Sequence, residues 1–154
     1  MLKRRVTFAN YQSGFTLIEV LVAIIILAIG LLGLANLQIV SLRNNMSAYL
    51  RTQAIVLAHD IMERMRSNVQ YYNTNPIPNP ISHGCLQTQC TSQQIAENDL
   101  SEWNAAIRAV LPGGMGTPPT PGATINGVTT YTITIQWVEP APNGPQVLTM
   151  NFQI

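Results

Sequence analysis

Gly14-Phe-Thr-Leu-Ile-Glu19-Val-Leu-Val-Ala-Ile-Ile-Ile-Leu-Ala-Ile-Gly-Leu-Leu-Gly-Leu-Ala35 decides how the rest of this 154-residue chain must be read. From Phe15 to Leu37 the only charged side chain is Glu19. A helix of that length rises roughly 35 Å, enough to cross a ~30 Å hydrocarbon layer. Lys3, Arg4 and Arg5 stand just before it. Basic residues on that flank keep the short N-terminus in the cytoplasm and place the remainder beyond the membrane.

Glu19 is the anomaly in the span. A central carboxylate costs on the order of 2.5–3.5 kcal/mol to insert, and one near the end costs less but is still adverse. Read from the residues alone, Glu19 either snorkels to the membrane surface or faces a partner. One candidate partner is an α-amino group, with an ordinary pKa near 8, created by a cut before Phe15.

The run Gly14-Phe15-Thr16-Leu17-Ile18-Glu19-Val20, after a basic leader and before an apolar helix, resembles the type III signal of type IV prepilins and pseudopilins. An ordinary secretory signal is cut after its apolar core, whereas in this family the cut precedes it. The resemblance implies cleavage after Gly14 by the prepilin peptidase and N-methylation of Phe15. It also implies pairing of Glu19 with the N-terminus of a neighbouring subunit during assembly.

Working outward, the overall charge is +1. Removing residues 1–14 takes Lys3, Arg4 and Arg5 with them and leaves a balance of −2. That is no basic footprint for nucleic acid. All ten prolines lie from Pro76 onward, so the composition changes near residue 75. Residues 38–70 continue the helix as an amphipathic segment. Leu42, Met46, Leu50, Ala54, Leu57, Ile61 and Met65 mark its apolar face, and Arg43, Asn44, Arg51, Asp60, Glu63, Arg64 and Arg66 its polar one. The organisation expected is a leader (1–14), a transmembrane or filament-core helix (15–37), its amphipathic continuation (38–70) and a periplasmic head (71–154).

Residues 71–91 read as a loop containing Cys85 and Cys90. On the non-cytoplasmic side these two are expected to form a disulfide, worth about 2 kcal/mol by chain entropy for so small a ring. The competing metal site with His83 lacks further ligands at suitable spacing, since His59 belongs to the long helix. A second helix is expected over about 92–111, with Leu100, Trp103, Ile107, Val110 and Leu111 on one face. Asp99-Leu-Ser-Glu102 resembles a capping box near its start, and Thr91 capping towards Gln94 is the alternative. Glu97, Asp99 and Glu102 are read as first-turn acids favoured by the helix dipole rather than as a site. Pro112-Gly113-Gly114 stops the helix, and 112–128 read as a Gly/Pro-rich crossing with a turn at Asn126-Gly127. Tyr131, Ile133, Ile135 and Trp137 then alternate with Thr130, Thr132, Thr134 and Gln136, and Leu148, Met150, Phe152 and Ile154 alternate with Thr149, Asn151 and Gln153. These are two antiparallel strands of a three- or four-stranded sheet, the last of them a candidate open edge.

The fold class is therefore α+β, a pilin-like long N-terminal helix packed on a small C-terminal antiparallel sheet with one extra helix. No Ser/His/Asp or Cys/His arrangement and no phosphate cradle stands out, so no enzyme and no cofactor are expected. Beyond the signal, Gly30-Leu-Leu-Gly-Leu-Ala-Asn-Leu-Gln38, Asp99-Leu-Ser-Glu-Trp103-Asn and Leu111-Pro-Gly-Gly114 resemble the PilV family of minor pilins, the type IV pilus modification proteins. That resemblance implies a subunit that joins other minor pilins to prime assembly and sits at the pilus tip. Its partners would be the major pilin, the prepilin peptidase, the inner-membrane assembly platform and a tip adhesin. A minor pseudopilin of type II secretion is the alternative, and a membrane-tethered periplasmic hydrolase a remote one.

Overall fold

The computed structural model describes residues 14–154, so most of the expected leader, including Lys3, Arg4 and Arg5, lies outside the described residues. The described chain forms three helices followed by three strands: α1 Leu17–Ser67, α2 Val69–Thr74, α3 Ser92–Val110, β1 Met115–Ile125, β2 Val128–Glu139 and β3 Gly144–Gln153. It divides into two compact units, one ending at Arg43 and one comprising Asn44–Ile154, and α1 runs through both. The architecture is the expected α+β class.

The first unit is apolar helix. Every residue from Gly14 to Val40 is exposed, and its 18-residue window reaches a mean hydropathy of 2.9 with none of it buried. It is long and apolar enough to cross a membrane.

The second unit has its own core. Leu50, Ala54, Leu57, Ala58, Ile61, Met62 and Met65 of α1 are buried, at the three- and four-residue spacing of a single helix face. Leu42 and Met46, expected on this stripe, are exposed. The covered face begins near Ser47 and Arg51, the α1 residues that meet Glu139 at the end of β2. From α3 come Ala96, Leu100, Trp103 and Ile107, with Leu111 just beyond it. Val110, expected on the same face, is partly exposed. From the sheet come Tyr131, Ile133, Ile135, Trp137 and Phe152. Leu148, Met150 and Ile154 pack at the periphery.

Two buried polar side chains join these layers. The Trp103 indole N–H donates to the Leu57 carbonyl at 2.8 Å, and the Tyr131 hydroxyl donates to the Tyr72 carbonyl at 3.0 Å. Gly114 and Gly116 let the start of β1 approach α3. A Cβ on Gly116 would fall 2.6 Å from both Ile107 Cδ1 and Trp103 Cζ3.

The helix expected to run to about Gln70 stops at Ser67, and part of the expected loop, through Thr74, is helical. No proline or glycine causes the break. The Ser67 hydroxyl turns back onto the Arg64 carbonyl, and the Asn68 amide donates to the Ser92 carbonyl at the start of α3. Side-chain bonds of this kind compete with the helical ladder. At the start of α3, Thr91 is the cap, with Gln94 completing a reciprocal capping box. Glu97, Asp99 and Glu102 therefore all lie beyond the first turn, and reading them as first-turn acids is corrected; Asp99 and Glu102 instead face α1. Both bind Arg64 of α1: Nη1 donates to Asp99 Oδ1 at 3.0 Å and Glu102 Oε2 at 2.9 Å, while Nε donates to Asp60 Oδ2 at 3.1 Å.

The sheet has the order β1-β2-β3, antiparallel throughout. A third strand was expected, but β1 fills most of the stretch read as a Gly/Pro-rich crossing, where Pro118, Pro119 and Pro121 interrupt it. Its position at an edge tolerates missing donors, and its register slips at Thr117/Thr120 and Pro121/Thr124. Asn126 and Gly127 turn the chain into β2 with φ of 53° and 81°, the left-handed pair that a type I′ turn requires. Inward residues of β2 alternate as expected.

Four carboxylates give the head a pH dependence, one of them Glu97, which bonds from Gln93 and His83 hold below the ordinary glutamate range. The hydrogen bonds from Arg64 and Asn98 hold Glu102 below the ordinary glutamate range. Burial works to raise Glu139, but bonds from Asn143, Ser47 and Trp137 and the charge of Arg51 hold it below that range. Burial pushes Asp99 upward despite Arg64. The three depressed glutamates stabilise the fold above the unfolded-state pKa, about 4.3, and that contribution is lost as pH falls through their folded values. The raised Asp99 works in the opposite sense. Denaturant titrations across a pH series are expected to show stability falling on acidification below about pH 4.3. Arg64→Met should flatten that slope and cost about 1–2 kcal/mol at pH 7, the partly exposed geometry keeping the loss modest. Gly116→Ala should lower stability by about 1–3 kcal/mol through overpacking against Trp103 and Ile107, read by thermal unfolding of the indole signal.

Candidate assembly site

Gly14, Phe15 and Thr16 precede α1 as exposed, non-helical backbone, and Thr16 starts the helix. The Thr16 carbonyl accepts from the backbone N–H of Glu19 at 3.1 Å and of Val20 at 3.3 Å. The Thr16 hydroxyl accepts from the Glu19 N–H at 3.4 Å. Thr16-Leu17-Ile18-Glu19 therefore provides the forward half of a capping box. This Thr-x-x-Glu spacing is itself a helix-start signal, separate from the charge and apolar run weighed in the sequence. It puts Glu19 in the first turn, where the helix dipole favours a carboxylate by about 0.3–1 kcal/mol.

The dipole accounts for the acid's position along the helix, not for the surface beside it. Phe15, Glu19, Val20, Ala23, Ile24 and Leu27 line one groove of ≈ 340 Å³. Five of these six side chains are apolar. Phe15 is 82% exposed and Leu27 62%. Among the described residues, no cation pairs with Glu19. The arrangement is a single acceptor-only group on an apolar strip, next to the backbone that precedes the helix. It can take a cation from another molecule while the strip takes an apolar helix.

The other polar cluster braces a loop. Cys85 and Cys90 are disulfide-bonded, as expected. The backbone N–H groups of His83 and Gly84 both donate to Asn98 Oδ1, at 3.0 and 3.2 Å. His83 Nε2 pairs with Glu97 Oε2, and the Gln93 amide donates to Glu97 Oε1 at 2.9 Å. The bonds from Gln93 and His83 hold the Glu97 carboxyl below its ordinary range. A hydrolase would need His83, Glu97 and Asp99 gathered in one pocket. His83 and Glu97 do meet, but Asp99 is bound to Arg64, two positions along the helix and on another face. Among the described residues no group of three or more His, Cys, Asp or Glu side chains is placed to hold a metal ion. His59 is exposed on α1. The bracing roles of Glu97 and Asn98 were missed because their partners sit 14 or 15 residues away across a loop of no regular period.

Residues 9–35 match the family described as the prokaryotic N-terminal methylation motif. Residues 36–101 match the family described as type IV pilin Tt1218. No curated protein and no solved structure matches the chain. The first match covers Gly14, Phe15, Glu19 and the uncovered part of α1 as far as Ala35. The second begins at the next residue and continues through the covered part of α1, α2, the disulfide loop and the first half of α3. Over residues 9–101 the chain is accordingly type IV pilin-like, similar to a family of non-enzymatic structural proteins, and its methylation motif leads directly into a Tt1218-like pilin segment.

Proposed function

We propose that this chain is a minor pilin of the PilV type, a processed subunit that joins other minor pilins to prime assembly of a type IV pilus and sits at its tip. The observation that carries the reading is the apolar first half of α1, exposed throughout, with one acid in its first turn directly after Gly14-Phe15. Such a helix is stable only in lipid or among other helices. A subunit that exchanges the first for the second loses little apolar burial in moving.

The residue roles follow from that exchange. Prepilin peptidase cuts after Gly14, in the non-helical segment where the backbone is accessible. Residues 1–14 are the leader, 15–37 the membrane and filament-core helix, 38–70 its continuation and 71–154 the periplasmic head. Phe15 becomes the N-terminal residue and is N-methylated, which keeps the amine's positive charge. Glu19 of one subunit pairs with that amine on a neighbour and sets the axial register. The pair forms in a low-dielectric setting, where an unpaired carboxylate is costly and a charge-assisted bond is strong. The protein begins in the inner membrane, with its N-terminus cytoplasmic, and ends in the filament. Its partners are the major pilin, other minor pilins and the assembly platform, with a tip adhesin as a further contact of the head.

Targeted mass spectrometry of sheared surface filaments, with a labelled internal standard, is expected to find a mature chain beginning at N-methylated Phe15. Finding that form only in the cell envelope, while other minor pilins are present in the filaments, would move the assignment to a type II secretion pseudopilin. Glu19→Ala is expected to insert and be cut after Gly14 as the wild type is, yet to fall at least several-fold in filaments. Wild-type incorporation of that variant would remove the pairing role.

A further inference from the structure

The hairpin joining β1 to β2 is uncharged, with no acidic or basic side chain between Arg108 and Glu139. Its tip is Asn126-Gly127. Among the described residues Asn126 alone has a positive φ without being glycine, at 53°. A second pair of the same kind, Asn143-Gly144, turns β2 into β3. The two turns share a dipeptide and differ in what holds it.

Asn143 is fixed on three sides. Its Nδ2 donates to Glu139 Oε2 at 2.8 Å, its backbone N–H donates to the Pro140 carbonyl at 3.3 Å, and its own carbonyl accepts from the Gln146 amide at 3.1 Å. Among the described residues, no hydrogen bond holds the Asn126 side chain or the Gly127 backbone N–H. Both residues are exposed, and the space where Gly127 would carry a Cβ is open. Beyond the register slip at Pro121/Thr124, only the pairs Thr124–Thr129 and Ile125–Val128 close the tip, with a 2.9 Å contact between the two threonine hydroxyls. Ile125 and Val128 are themselves exposed, and the buried residues of β1, Gly116 and Pro119, lie before the slip. Opening the tip therefore removes nothing from the core and releases Asn126 from the left-handed region that L-residues disfavour.

We infer that Asn126 is a site of spontaneous covalent modification, its side-chain amide becoming aspartate and isoaspartate through a succinimide. Hydroxide takes the Gly127 backbone proton, and the nitrogen attacks Asn126 Cγ. The new C–N bond closes a five-membered ring while the bond from Cγ to Nδ2 breaks, and Nδ2 leaves as ammonia with a proton from water. Water then opens the ring. Cleavage between the nitrogen and Cγ restores the ordinary chain with an aspartate. Cleavage between the nitrogen and the backbone carbonyl carbon leaves the chain running through Cγ. The net change is one amide and one water to one carboxylate and one ammonium, with no oxidant or reductant. Glycine is the residue that least obstructs this closure, because it has no side chain beside the attacking nitrogen. The product places a negative charge on a hairpin that has none. Isoaspartate also adds a backbone atom that the two-residue turn cannot accommodate, so the tip loosens as far as the slip while the core stays packed. The inference rests on the head alone and does not depend on the pilus reading.

Peptide mapping of the full-length chain in detergent micelles tests this, after incubation at mildly alkaline pH and with fragmentation that separates isoaspartate from aspartate. Asn126 is expected to convert, isoaspartate exceeding aspartate, with a rate that rises with pH. Asn143 should convert roughly ten-fold or more slowly, because its amide is bonded to a carboxylate. In guanidinium both pairs should convert at comparable rates, which assigns the difference to the fold. The modified fraction, separated by anion exchange, should keep the near-ultraviolet circular dichroism of the unmodified head. An intact Asn126 in the folded chain, or equal conversion of Asn126 and Asn143 there, would overturn the site. Loss of the near-ultraviolet signal in the modified fraction would overturn the confinement of the change to the tip.

Discussion

Trp103 is the side chain on which the head's arrangement depends. It is fully buried, its indole N–H ends on the Leu57 carbonyl, and its ring edge occupies the space that a side chain on residue 116 would need. One residue thus relates α3 to α1 by a hydrogen bond and to β1 by close packing. Small residues make the approach feasible. Ala54, Ala58 and Ala96 are completely buried, and Gly114 and Gly116 bring the strand up to the helix. Close-packed interiors leave little latitude for another arrangement once such a ring is in place.

Polar contacts around that core fix direction rather than supply most of the stability. Arg64 gathers Asp60, Asp99 and Glu102 and so sets how α3 lies on α1. Glu139 collects Trp137 and Asn143 at the turn into β3. His83, Glu97 and Asn98 hold the disulfide loop on α3. Each joins elements that apolar contact alone would leave free to slide.

One helix serves two different physical ends. From Asn44 onward α1 alternates apolar and polar faces, so a head folded from the same chain can cover one of them. Before Arg43 it has no polar face, and any covering must come from lipid or from other subunits. Glu19 is the exception in that half, an acid that the helix start accommodates and the adjoining groove leaves without a cation among the described residues.

Much of this was legible in order along the chain. The apolar run with its single acid, the core stripe from Leu50 to Met65, the Cys85–Cys90 bond and the alternation of β2 are all periodic or local signals. They depend on neighbours within a few residues, and the sequence alone determined them together with the α+β class. Four features were decided only by tertiary structure. The break at Asn68 depends on a carbonyl 24 residues away. The roles of Asp99 and Glu102 depend on Arg64, more than 30 residues earlier. The strand through Pro118, Pro119 and Pro121 exists because β2 pairs with it from one side and nothing is required of its other edge. The exposure of Met46 depends on where the covered face of α1 begins within the head. In each case the local pattern permitted two outcomes, and a long-range contact that no short window contains selected between them.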